Sequence, residues 1–182
     1  MFTAAKKRFT GEAEVPTSAP AAKNGLLDGL PGRSEAQAVL AAALTEGRPM
    51  FAAVFVVDRV NVVNDCFGYA LGDKLLLSFH DHLRDKLLPT DRVCRWTGTS
   101  FLALLEREGS LESVDDEIRQ LAAEQPEIAV HLGSGALVLS AAANWAVFPL
   151  RGVRSADSLP DSIDFYITRN LGRQVQFSRR PE

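Results

Sequence analysis

The stretch Phe51–Leu88, FAAVFVVDRVNVVNDCFGYALGDKLLLSFHDHLRDKLL, decides how the rest of the chain is read. Phe51 to Val57 is apolar at every position. A strand with one wet face alternates, so this run predicts a strand covered on both sides, at the centre of a sheet. Asp58, Asn61, Asn64 and Asp65 follow in what reads as a polar turn, and Gly68 and Gly72-Asp73 lead into a long helix. There Leu71, Leu75, Leu76, Phe79, Leu83, Leu87 and Leu88 recur at helical spacing until Pro89 stops the helix. A buried strand that delivers polar groups to a helix entrance suits a nucleotide pocket. Strand ends hold a site rigid, while the turn and helix supply donors, acceptors and close backbone approach.

On the N-terminal side, Leu27-Asp28-Gly29-Leu30-Pro31-Gly32-Arg33 is a turn rich in Gly and Pro. A helix from 34 to 46 follows, with Ser34 and Gln37 spaced as a capping box and Gly47 at its end. On the other side, Arg92–Trp96 and Phe101–Leu105 are apolar runs joined by Thr97-Gly98-Thr99-Ser100, which predicts a hairpin. Ser110 caps an acidic helix from 111 to 124, and Ala136–Ala143 reads as a strand of small residues. Asp157–Asn170 reads as a helix interrupted early by Pro160, and Gln174–Phe177 as a short last strand. The order is α, β, α, β-hairpin, α, β, α, β, which predicts an α+β fold with a mixed central sheet flanked by helices.

A chain of 182 residues that is 46% hydrophobic has room for one well-buried core. Residues 1–24, with Pro16, Pro20 and many small side chains, read as a disordered tail, and residues 25–182 as the domain. The net charge of −3 gives no general footprint for nucleic acid. No apolar run approaches the roughly 20 residues that cross a bilayer. Cys66 and Cys94 are too few for a disulfide framework and both sit in sequence that predicts burial, so reduced thiols in a cytoplasm are expected. His80 and His82 are two apart on a helix and face different ways, His131 is isolated, and no zinc spacing exists. Trp96 and Trp145 read as core or rim packing.

Four motifs in register resemble the GGDEF domain of diguanylate cyclases, over about residues 25 to 178. Leu27–Arg33 is similar to that family's opening L-T-G-L-x-N-R. Asp58–Asp73 is similar to D-x-F-K-x-I-N-D-x-x-G-H-x-x-G-D and keeps Asp58, Asn64, Asp65, Gly68, Gly72 and Asp73. Arg95-Trp96-Thr97-Gly98-Thr99-Ser100-Phe101 falls where the family has R-Y-G-G-D-E-F. Tyr166–Arg173 resembles the closing Y-x-A-K-x-x-G-R. The resemblance implies a βαββαβ fold of the ferredoxin-like, nucleotidyl cyclase palm type.

It also implies functional positions, and the chain departs from several. The family holds magnesium on GTP with an acid at the end of the first strand and another in the signature hairpin, where this chain has Val56 and Ser100. Valine offers no ligand oxygen, and a serine hydroxyl is a poor substitute for carboxylate on a hard cation. Phosphoryl transfer needs that metal, so the chemistry is expected to be lost, with no metal and no cofactor held. Asn61 replaces a phosphate-directed lysine, Tyr69 a histidine, and Thr97 and Thr99 a glycine and an acid of the hairpin, leaving Thr97, Gly98, Thr99, Ser100 and Phe101 as a degenerate signature. Asn64 and Asp73 match the guanine-reading pair, and Arg169 and Arg173 two phosphate-contacting positions. The product-sensing R-x-x-D keeps Asp91 but has Leu88 in place of arginine.

The resemblance therefore implies a catalytically inactive regulatory or protein-interaction module in bacterial cyclic di-GMP signalling, pairing with a protein of that network or with itself. Two alternatives stay open: a guanine nucleotide receptor without turnover, for GTP or cyclic di-GMP, and a residual cyclase.

Overall fold

In a computed structural model of the chain, residues 27–132, 135–151 and 158–176 are described, with residues 132 and 172–176 as backbone only. The segment read as a tail, residues 1–24, lies outside them. Helix α1 (Arg33–Glu46) precedes strand β1 (Met50–Val57). Helices α2 (Val60–Phe67) and α3 (Tyr69–Lys86) lead to the hairpin of β2 (Arg92–Thr97) and β3 (Ser100–Glu106). Then come α4 (Leu111–Ala123), β4 (Glu127–Leu132), β5 (Gly135–Ser140), β6 (Ala143–Pro149) and α5 (Ser158–Gln176).

Four strands form one sheet in the order β2-β3-β1-β6, while β4 and β5 make a separate hairpin. All these pairings are antiparallel. Without the inserted β4–β5 hairpin the order is βαββαβ, the α+β architecture the motifs imply. Every residue of β1 is buried. Its alternate side chains Phe51, Ala53, Phe55 and Val57 join a core with Leu75, Phe79 and Leu83 of α3 and Ile118 of α4. Met50, Ala52, Val54 and Val56 join a second core with Leu40 of α1 and Ile163 and Ile167 of α5. The unbroken apolar run thus comes from helices on both faces of the sheet. Phe55 meets Phe79 edge to face at 5.8 Å, a contact worth about 1 kcal/mol beyond area burial.

Some boundaries differ from the sequence expectations. The polar turn after β1 is a helix, α2, because Val60 and Val63 sit three apart and are buried while Asn61 and Asp65 take the wet side. The N-terminal cap of α1 is Gly32 rather than Ser34. Its N–H donates to the Glu35 carboxylate at 2.9 Å, where an acid is favoured over the neutral Gln37. The predicted strand 136–143 is two: β5 ends at Ser140, and β6 begins at Ala143 and supplies the sheet's fourth strand. β4 was not expected. α5 runs on through Gln176 where a last strand is predicted, and Phe177 lies outside the described residues. Pro160 falls in the first turn of α5, where a missing N–H breaks no helical bond. Cys66 is exposed and only Cys94 is buried, with burial pushing the Cys94 thiol up. No helix among the described residues is long and apolar enough to cross a membrane.

Candidate functional site

The end of β1 is a row of three strands. Val56 pairs with Ser100 on β3 and with Asn144 on β6. Val57 N–H donates to Thr99 O at 3.0 Å, so the neighbouring Val56–Ser100 pair is a non-hydrogen-bonded one, in which side chains stand closest. Two acids at these positions would converge on one ion. Instead both residues are wholly buried, and Val56 packs into the core shared with α1 and α5. The Ser100 hydroxyl is used within the hairpin: it donates to Thr97 O at 2.6 Å and accepts from Thr97 N–H at 3.2 Å. A hydrocarbon and an engaged hydroxyl make a donor set that does not fit magnesium.

The hairpin is held from both sides. Arg95 donates from Nε and Nη2 to Gly98 O, at 3.3 and 3.1 Å, across a turn whose positive φ of 48° falls on Gly98. Behind it, Trp96 Nε1 donates to Asp164 Oδ1 at 2.7 Å, and Arg33 grips the same carboxylate through two bonds of 3.1 and 2.6 Å. The Arg33 guanidinium also lies 4.5 Å from the centre of the Trp96 ring. Burial pushes the Asp164 carboxyl up, but the hydrogen bonds from Arg33 and Trp96 and the Arg33 charge outweigh it and hold the group below the usual carboxylate range. Asp164 replaces nothing the motifs single out, and its partners in other elements gave it no local signal.

Asn64 and Asp73 lie on either side of Gly68, whose φ of 86° turns the chain from α2 into α3. Asn64 is half-buried against the backbone of Gly72. A Cβ added there would come within 1.9 Å of Asn64 Oδ1, so only glycine admits this side chain. The buried Oδ1 has no hydrogen-bond partner. Buried acceptors are rarely left so, and this one faces Gly72, next in sequence to the half-buried Asp73. Asn64 and Asp73 thus lie in adjoining turns of the α2–α3 corner.

Arg169 is exposed on α5 and lines a groove of about 380 Å³ with Asn144, Trp145, Tyr166 and Asn170. Asn144 is the β6 partner of Val56, so the groove brings Arg169 to the same end of the sheet as Val56 and Ser100. Asn144 was missed by sequence reasoning, because β6 itself was. The side chain of Arg173 lies outside the described residues.

Asp91 has a different fate from the one its motif implies. Its side chain is fully enclosed, its Oδ2 accepts from Leu88 N–H at 2.9 Å, and Arg107 binds both oxygens at 2.8 Å. Hydrogen bonds to Asp91 and then Glu117 hold the Arg107 guanidinium well above its usual pKa. The carboxylate that would read a guanine edge is already paired inside the protein. Leu88, in the arginine position, is exposed hydrocarbon. Sequence reasoning missed Arg107, which lies 16 residues beyond Asp91.

The sequence profile of "Diguanylate cyclase, GGDEF domain" matches residues 27–168. The chain is 30% identical to diguanylate cyclase TpbB of Pseudomonas aeruginosa over 164 residues, 85% of this chain and 36% of that one. It is 29% identical to diguanylate cyclase DgcP of Pseudomonas aeruginosa over 153 residues, 81% of this chain and 22% of that one. The chain thus spans little more than a third of these relatives at most. Among solved structures, diguanylate cyclase SiaD of Pseudomonas aeruginosa, in complex with its activator SiaC, superposes with a TM-score of 0.64. The identity is 25%, over 82% of this chain and 58% of that one.

Proposed function

We propose, from the premise that the chain belongs to the diguanylate cyclase GGDEF family, that it is a copy without turnover that acts in cyclic di-GMP signalling through a protein partner. The observation that carries this is the pair Val56 and Ser100, set opposite each other and wholly buried, with no carboxylate at either position. Phosphoryl transfer between nucleotides needs a metal to offset charge on the β- and γ-oxygens. Among the described residues no group of side chains at the tip of β1 could hold one, so the working part of this domain is a surface. The partner is an active cyclase, an output protein of the same network, or a second copy. That SiaD is solved in complex with its activator supports a protein partner for a relative of this kind. The test is incubation of the purified chain with GTP and Mg²⁺ or Mn²⁺. No cyclic di-GMP is expected above a no-enzyme control, and metal-dependent product would refute the proposal.

A second reading, a guanine nucleotide receptor, is favoured by the unpartnered Oδ1 of Asn64, which faces Gly72 next to Asp73 in sequence. A base N–H would satisfy that acceptor, and the Asp73 carboxylate would take another. Calorimetry with GTP, GDP and cyclic di-GMP tests it. Binding that is abolished by Asn64→Ala and by Asp73→Ala supports the receptor; the absence of heat at millimolar nucleotide rejects it.

A further inference from the structure

The turn that follows α3, with Leu88, Pro89 and Asp91, closes one side of a cavity of about 280 Å³. Its apolar wall is Leu30 and Pro31 from the turn before α1, Leu87 at the end of α3, and Val93 at the start of β2. Its titratable groups are His80, Arg84, Asp91 and Arg92. Asp91 is neutralised by Arg107. Among the described residues neither the Arg84 nor the Arg92 side chain has a hydrogen bond or ion pair to another residue. His80 is only 2% exposed. Its Nδ1 lies 3.1 Å from Asp81 Oδ1, while Nε2 has no partner among the described residues. The cavity is therefore lined by two exposed arginines whose guanidinium groups have no side-chain partner and by the His80 imidazole. The C-terminal end of α3 opposes them with about half a negative charge, less than either arginine supplies.

We propose that this cavity binds a small phosphate monoester. Arg84 and Arg92 take its phosphate oxygens, His80 Nε2 makes a third contact, and Leu30, Pro31, Leu87 and Val93 cover the organic group. Two forks suit a dianion with three terminal oxygens, since guanidinium recognises phosphate through paired N–H groups, whereas one carboxylate would leave a fork unused. The volume sits near the low end for small-molecule pockets, roughly 300 Å³, which leaves room for a single ring and excludes a cyclic dinucleotide. This site does not depend on the base-reading positions at Asn64 and Asp73.

Calorimetry on the full chain with phenyl phosphate, inorganic phosphate and phenol tests it. Phenyl phosphate is expected to bind more tightly than inorganic phosphate, and phenol not at all. Arg84→Gln and Arg92→Gln should each weaken phenyl phosphate at least about tenfold, the loss of one charge-assisted contact. Both arginines lack partners, so neither change should lower the melting temperature, which checks folding. Asn64→Ala should leave the affinity unchanged. Absence of binding at millimolar phenyl phosphate overturns the proposal, as does binding that ignores both arginine changes or is lost with Asn64→Ala.

Discussion

Asp164 ties together three segments that are far apart in the chain: Arg33 at the start of α1, Trp96 before the signature hairpin, and its own helix α5. Its folded pKa is depressed, so its contribution is complete above the unfolded value of about 3.9 and is lost as pH falls through the folded value. Asp164→Asn should therefore cost stability at pH 7, by about 1 kcal/mol, because 36% of the side chain is in water and screens the pair. In urea denaturation, the gap between the two proteins should stay constant from neutrality down to about pH 4 and close below it. A gap that does not narrow as pH falls below about 4 would mean that the carboxylate charge is not what holds Trp96. Val56 and Ser100 could be read directly from the chain, since a missing acid shows wherever a motif fixes its place. Asp164 could not, because its partners lie 131 and 68 residues away. Asp91 was visible, but Arg107, which takes it out of use, was not.

Among the elements, the corner between α2 and α3 is set by one close approach, Asn64 over Gly72. Alanine is the better helix former by about 1 kcal/mol, so Gly72→Ala would stabilise α3 if nothing stood in the way. Asn64 does stand in the way: a Cβ 1.9 Å from its Oδ1 must push the amide out or shift α2. Overpacking of this kind costs about 1–3 kcal/mol. The expected outcome is a change of sign: Gly72→Ala destabilises the wild type, but is neutral or stabilising when Asn64 is already alanine. A double-mutant cycle by chemical denaturation measures that coupling, and additive effects would mean that the approach does not constrain the corner. β1, α3 and the hairpin were legible because their apolar spacing is long or punctuated by Gly. α2 was not, since Asn61, Asn64 and Asp65 are turn-forming residues and only the burial of Val60 and Val63 makes a helix of them. β6 was hidden by Pro149, which demotes a strand on sequence grounds.

Across the whole molecule, the family scaffold surrounds a strand tip at which Val56 and Ser100 are wholly buried. β1 still lies between β3 and β6, Arg169 still stands by the tip through Asn144, and helices still cover both faces of the sheet. At the tip, Val56 now adds to the packing of α1 and α5 against the sheet, and Ser100 closes the hairpin on itself. Restoring both acids, as Val56→Asp with Ser100→Glu, should thus pit the scaffold against its new core. Two carboxylates enter a wholly buried pair of positions, which costs several kcal/mol when nothing neutralises them. A divalent ion that binds only the folded state offsets part of that loss, in proportion to the logarithm of its concentration. The double variant should melt well below the wild type in EDTA and regain several degrees in millimolar Mg²⁺, whereas the wild type should melt alike in both. Recovery would show that the geometry for a metal outlasted the ligands. A variant whose melting ignores Mg²⁺ would show instead that the packing around Val56 has closed the position, so that restoring the acids alone cannot return the site to chemistry.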